Sequence, residues 1–169
     1  MDPSRIRGMS IQNVMVREII TVRSSETVRT AWMSLMEKGI SGAPVIDEEG
    51  TLVGILSLTD VYRSVIERVY KARALREATA QNTDEETRRK EEIREMSFAL
   101  RAVMDCPVSS LIPTDQKVFQ LGPLDSLERA IKMMAENNVN RLPIVKEGKV
   151  VGIITRQDVI WVLAGRSGR

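Results

Sequence analysis

Apolar residues fall twice into the same order along this chain. Val28, Ala31, Leu35 and Met36 recur at helical spacing in the first run, and Leu127, Ala130, Ile131 and Met134 in the second. Residues three and four apart share one helix face, so each set predicts a helix with a buried stripe. Thr27 and Ser126 precede the stripes as N-cap residues, whose hydroxyls accept N–H groups that the first helical turn leaves unpaired. A short strand follows, "APVID" or "LPIVK", then a turn, "EEG" or "EG", then a second strand, "LVGIL" or "VVGII". Gly50 and Gly148 supply the positive φ that a tight hairpin turn uses. Pro44 and Pro143 read as matching strand starts, where a missing N–H is tolerated.

Both runs close on one junction, spelled "VGILSLTDV" at 53–61 and "VGIITRQDV" at 151–159. Each copy thus predicts a β-α-β-β-α unit. Alone, such a unit buries too little of its surface to be stable. Two copies that share a core imply an intramolecular pseudo-twofold with a cleft at the join. The expected class is α/β, in its α+β form: two β-α-β-β-α motifs and an inserted helical hairpin. The expected divisions are 1–68 (first motif with the N-terminal segment), 69–105 (insert) and 106–169 (second motif).

Along the connection between the copies, from Val61 to about Met104, Val61, Val65, Ile66 and Val69 keep helical spacing. The chain then turns polar, and Thr83-x-x-Glu86 offers a capping box for a second helix. That helix carries Ile93, Met96, Leu100 and Val103 as one stripe, and Glu is mixed with Arg and Lys at spacings worth a few tenths of a kcal/mol per pair. The pair of helices either pads the fold or forms an arm toward a dimer mate or an effector protein. The tail "AGRSGR" reads as frayed.

Composition narrows the chemistry. The 169 residues are 43% hydrophobic and 28% charged with net charge +2, as in a soluble globular protein without a field to recruit nucleic acid. No apolar run approaches membrane-spanning length, and the N-terminus lacks an apolar signal core, so a cytoplasmic protein is expected. Cys106 is the only cysteine and histidine is absent, which removes internal disulfides, Ser-His and Cys-His nucleophiles and the commonest metal ligand. No P-loop or dinucleotide fingerprint occurs, so an enzyme is not expected.

The ordered set "GISGAPVID" with "VNRLPIV", the two Gly-containing hairpins and the two G-x-x-[ST]-x-x-D junctions resembles a tandem pair of cystathionine-β-synthase (CBS) domains and covers most of the chain. The resemblance implies a stand-alone regulatory module that binds AMP, ADP, ATP or S-adenosylmethionine, senses energy or metabolite state and passes it to an effector protein. It implies a homodimer, with the adenosyl compound as regulatory ligand and no catalytic cofactor; the composition adds that neither nucleic acid nor membrane is expected as a partner. Carried over, one site joins Ser57, Thr59 and Asp60 to Phe119, Val139, Asn140 and Arg141. The other joins Thr155, Arg156 and Asp158 to Ile20, Ile40, Ser41 and Ala43.

The physics of the junction suits this ligand class. A helix N-terminus offers free N–H groups and partial positive charge to phosphate. An Asp there can accept from ribose hydroxyls, and Ser57 or Thr155 can donate to phosphate oxygen. Arg141 adds a guanidinium fork where the first copy has Gly42, and Gln157 stands where that copy has the shorter Thr59, so the Asp60 site is expected to bind phosphate more tightly. The same residues also spell a capping box. The alternative is therefore a structural dimerisation module whose sites are vestigial.

Overall fold

In the computed structural model, which describes residues 6–77, 84–113 and 115–165, ten elements follow in order. They are β1 (Val22–Arg23), α1 (Val28–Glu37), β2 (Gly42–Ile46), β3 (Leu52–Ser57), α2 (Leu58–Glu77), α3 (Glu85–Met104), α4 (Leu127–Glu136), β4 (Arg141–Lys146), β5 (Lys149–Thr155) and α5 (Arg156–Leu163). Short 3-10 turns lie at Ile11–Asn13 and Val108–Leu111. The architecture is mixed α+β, with strand order β1-β2-β3 in one sheet and β4-β5 in the other.

Sequence explains the repeated parts. Thr27 accepts the Thr30 N–H and Ser126 the Arg129 N–H, both at 3.2 Å, so the two hydroxyls start α1 and α4 as read. Val28, Ala31 and Leu35 are buried on α1, and Leu127, Ala130 and Met134 on α4. Met36 departs from the expected stripe and is exposed. It follows Leu35 directly, and a step of one residue turns about 100° around the helix axis. Gly50 and Gly148 take φ of +79° and +78° in the hairpin turns.

Two further corrections concern strands. Pro44 and Pro143 are the third residues of β2 and β4, not their starts. Pro143 keeps its place because its carbonyl still accepts the Leu121 N–H at 3.1 Å; the ring forfeits only a donor. The leading strand of the second copy contracts to a single parallel bridge, Leu121 with Ile144.

The chain divides into two units. The first comprises residues 22–45 and 55–116; the second comprises 1–21, 46–54 and 117–169. In the first, the Val28 N–H donates to Cys106 O at 3.0 Å and the Val108 N–H to Glu26 O at 2.9 Å, so the 106–109 segment crowns α1. In the second, the Leu127 N–H donates to Met9 O and the Ile11 N–H to Asp125 O, each at 2.9 Å, so residues 9–11 crown α4. This second unit holds a core of Ile11, Leu127, Leu142, Ile144 and Ile154, all fully buried.

The insert is two helices, as the spacing predicts. Its second helix, however, is capped by Asp84, which accepts the Thr87 N–H at 3.0 Å and the Thr87 hydroxyl at 2.8 Å. Thr83 lies outside the described residues. The Glu85–Arg89 and Glu86–Lys90 pairs close at 2.6 and 2.7 Å. The Asp84 carboxyl is held below its ordinary value of 3.8, chiefly by the Thr87 N–H and then by the Thr87 hydroxyl. A depressed carboxyl stabilises its helix above the unfolded value and stops doing so as pH falls through the folded one. Carboxyl NMR of Asp84 should therefore give a midpoint below 3.8 that rises only part of the way back in Thr87→Ala, which removes the hydroxyl but keeps the N–H.

Candidate functional site

Each junction is built by a strand that ends on a hydroxyl residue and turns at once into a helix. At the first, the Ser57 N–H and hydroxyl donate to Asp60 Oδ2 at 2.9 and 2.5 Å. At the second, the Thr155 N–H and hydroxyl donate to Asp158 Oδ2 at 2.8 and 2.6 Å, and the Asp158 N–H returns to Thr155 Oγ1 at 3.3 Å, a reciprocal capping box. Both recorded bonds of each carboxylate end on Oδ2. Oδ1 is the oxygen that remains for a ligand.

The loop before the hairpin repeats as well. The Leu58 N–H donates to Ser41 O and the Arg156 N–H to Asn140 O, both at 3.0 Å. Those loops leave α1 and α4 through left-handed residues, Gly39 at φ +63° and Asn138 at φ 50°. Asn tolerates this conformation where most residues do not. The Ile40 N–H then reaches Leu35 O at 3.0 Å and the Val139 N–H reaches Met134 O at 3.1 Å, closing the helix ends.

These bonds settle which helix N–H groups can meet an anion. The N-cap N–H serves the Asp and the first helical N–H serves the loop carbonyl. The second helical residues, Thr59 and Gln157, carry the next donors, and both are exposed. A phosphate would meet one or two N–H groups here, not the full set of a free helix end.

The two junctions differ in what surrounds them. Asp60 is half-buried, whereas Asp158 is 5% exposed. Arg156 folds back on its own unit: Nε donates to Val139 O at 3.1 Å, and one terminal nitrogen donates to Asn138 Oδ1 at 3.1 Å and Met134 O at 3.5 Å. Its guanidinium thereby closes the C-terminus of α4. Leu58, at the same position in the first copy, has no such capacity.

Each junction is thus brought together with the loop of its own copy: Ser41 beside the Ser57–Asp60 corner, and Val139 and Asn140 beside the Thr155–Asp158 corner. Ile20, Ile40, Val139 and Arg141 are half-buried, while Ala43 is closed off in the core at 1% exposure. Phe119, half-buried, carries the Lys117 ammonium 5.0 Å from its ring centroid. The sequence reading missed Lys117. The signal was available, because residues two apart on an extended segment face one way. Among the described residues no group of acidic or thiol side chains could hold a metal ion, and no helix is long and apolar enough to cross a membrane.

Two copies of one junction, each with the same caps and loop bonds, define a repeated domain. The CBS domain family matches residues 11–67 and again residues 108–165. The chain belongs to the CBS domain family. Among its relatives, the uncharacterized protein MJ1426 of Methanocaldococcus jannaschii is 28% identical over 92% of this chain and 91% of its own length. Two solved CBS structures share the fold. CBSX2 in complex with AMP has a TM-score of 0.65 at 24% identity, covering 94% of this chain and 98% of its own. The CBS domain pair of MJ0100, in complex with 5′-methylthioadenosine and S-adenosyl-L-methionine, has a TM-score of 0.63 at 18% identity, covering 93% and 97%. The protein is accordingly a CBS domain pair.

Proposed function

We propose that this CBS pair is a regulatory module that binds an adenosyl ligand at the Ser57–Asp60 corner and relays its occupancy to a partner. The observation that carries the reading is the half-buried Asp60, whose two hydrogen bonds both end on Oδ2 beside an exposed helix start at Thr59. Oδ1 then accepts from a ribose hydroxyl, and the Thr59 N–H takes a phosphate oxygen. That CBSX2 was solved with AMP and MJ0100 with adenosyl-sulfur compounds supports the ligand class. Phe119, Val139, Asn140 and Arg141 are assigned to this ligand by the family resemblance. Signalling follows only if the ligand prefers one arrangement of the protein over another.

A second reading applies to the second junction. There Asp158 is buried and Arg156 is committed to the α4 carboxyl end, which favours a structural cap over a ligand corner. Ile20, Ile40 and Ala43 would then be packing residues, and the exposed Ser41 would serve only through its carbonyl, which accepts the Leu58 N–H.

Calorimetry against AMP, ADP, ATP and S-adenosylmethionine tests both readings. One binding event per chain is expected, with stabilisation of about 2.7 kcal/mol at a hundredfold excess over Kd. Arg141→Ala should weaken ATP and ADP about tenfold, as loss of a charge-assisted contact does, and adenosine hardly at all. No heat and no thermal shift with any of these ligands would leave the structural module as the better account.

A further inference from the structure

The inserted hairpin presents a surface that the ligand reading does not use. Arg76 on α2 donates to Glu95 Oε1 on α3 at 3.1 Å and lies 3.5 Å from Glu91, which ties together two helices, each about 30 Å long. Between them runs a groove of about 700 Å³. Small residues, Ala72, Ala99 and Ala102, line it and keep it concave. Leu75 and Phe98 also line it, yet stay 72% and 75% exposed. Besides Ser97, its remaining walls are mostly cationic: Arg68 and Lys71 from α2, Arg94 and Arg101 from α3. Its single carboxylate, Glu95, is already held by Arg76.

We propose that this groove docks an acidic amphipathic helix from a partner protein. Arg68, Ala72 and Leu75 are spaced by four and three, as are Arg94, Phe98 and Arg101, so two helical ridges flank one channel. A third helix seats in such a channel with apolar anchors at i, i+4 and i+7. Phe98 and Leu75 meet the anchors, and four cations meet flanking Asp or Glu. A second copy presenting the same face would set four cations against four, so self-association there is disfavoured. A bilayer is flat, whereas these apolar side chains line a concavity.

The test is to pan a displayed library of helical peptides, about 20 residues long, on the full chain without nucleotide. Enriched peptides should carry an i, i+4, i+7 apolar stripe flanked by Asp or Glu. Their affinity, read by fluorescence anisotropy, should fall at least about tenfold for Phe98→Ser and for the Arg94→Glu/Arg101→Glu pair, and should weaken as salt screens the charges. All three side chains face solvent or line the groove, so the charge pair still decides the matter if the Phe98 variant folds poorly. Enrichment of non-acidic peptides, or equal affinity for the charge-reversed pair, overturns the proposal. So does partition onto phosphatidylserine vesicles with no peptide binding, or a dimer that dissociates on Leu75→Glu/Phe98→Glu. None of these readouts requires an adenosyl ligand, so failure here and failure of the ligand site are separate results.

Discussion

Asp60→Ala should cut affinity for the adenosyl ligand about ten- to hundredfold and leave the fold nearly intact, whereas Asp158→Ala should do the reverse. The two carboxylates make the same local bonds, to a hydroxyl and an N–H three residues earlier. Their surroundings separate them. Losing a half-buried carboxylate lets water reach the freed Ser57 donors, so the stability cost stays near that of a lost cap, about 1 kcal/mol. What goes with it is a charged acceptor for ribose, worth roughly 1.5–3 kcal/mol per bond. At Asp158 the carboxylate itself is buried, so alanine leaves an enclosed gap beside the half-buried Thr155 N–H and hydroxyl, at about 1–3 kcal/mol for each donor left unpaired. Calorimetric unfolding should show Asp158→Ala melting several degrees lower, at roughly 2–4 °C per kcal/mol for a chain of this size. Titration calorimetry should show it still binding. Equal ligand loss in both variants would mean two working corners; no ligand loss in Asp60→Ala would remove the site from the first junction.

Much of this protein could be read from its sequence because the decisive signals are local. A cap and its partner lie three residues apart, a helical stripe repeats within two turns, and a hairpin glycine sits in its own turn. Thr27, Ser126, Gly50 and Gly148 all act within such a span. Repetition then raised weak local signals to a family-level one, since two matching junctions are far less probable than one. Legibility failed where partners are distant. Nothing near Val28 foretells that its N–H donates to Cys106, or near Leu127 that its partner is Met9. The exchange of these crowning segments is set by which residues meet after folding.

The insert shows a different limit. Ile93, Met96, Leu100 and Val103 share a helix face by spacing, yet of these only Val103 is fully buried, and Ala99 is the other buried residue of α3. Periodicity reports which residues share a face, not whether anything covers it. Charge pairs and a good cap keep α3 helical while much of its apolar surface stays open, and so the stripe became a surface. Arg156 is the converse case. The family resemblance assigns it to a ligand, and nothing in its sequence neighbourhood foretells that three acceptors on its own unit hold its guanidinium.

Gly152→Val should strongly destabilise the second junction, and a partner substitution should undo part of it. A Cβ at Gly152 would lie 2.5 Å from Met15 Sδ, 3.1 Å from Met15 Cγ and 3.3 Å from Val16 O. Met15 is buried at 7% exposure, so its sulfur has little room to withdraw. Val16 is fixed as well: its N–H donates to Ile153 O at 2.9 Å and its carbonyl accepts the Ile153 N–H at 3.0 Å. Alanine at 152 therefore forces overpacking of about 1–3 kcal/mol, and valine, with two more methyls in the same gap, exceeds it. Met15→Ala alone opens a cavity and costs about 2–5 kcal/mol. The two lesions occupy the same volume with opposite sign, so in Met15→Ala/Gly152→Ala each relieves the other. Urea unfolding of the four-member cycle should give a favourable coupling of at least about 1 kcal/mol, well beyond the additivity of independent sites. Strict additivity would mean that the 14–16 segment does not press on β5 in solution, and that the second junction is held in place from elsewhere.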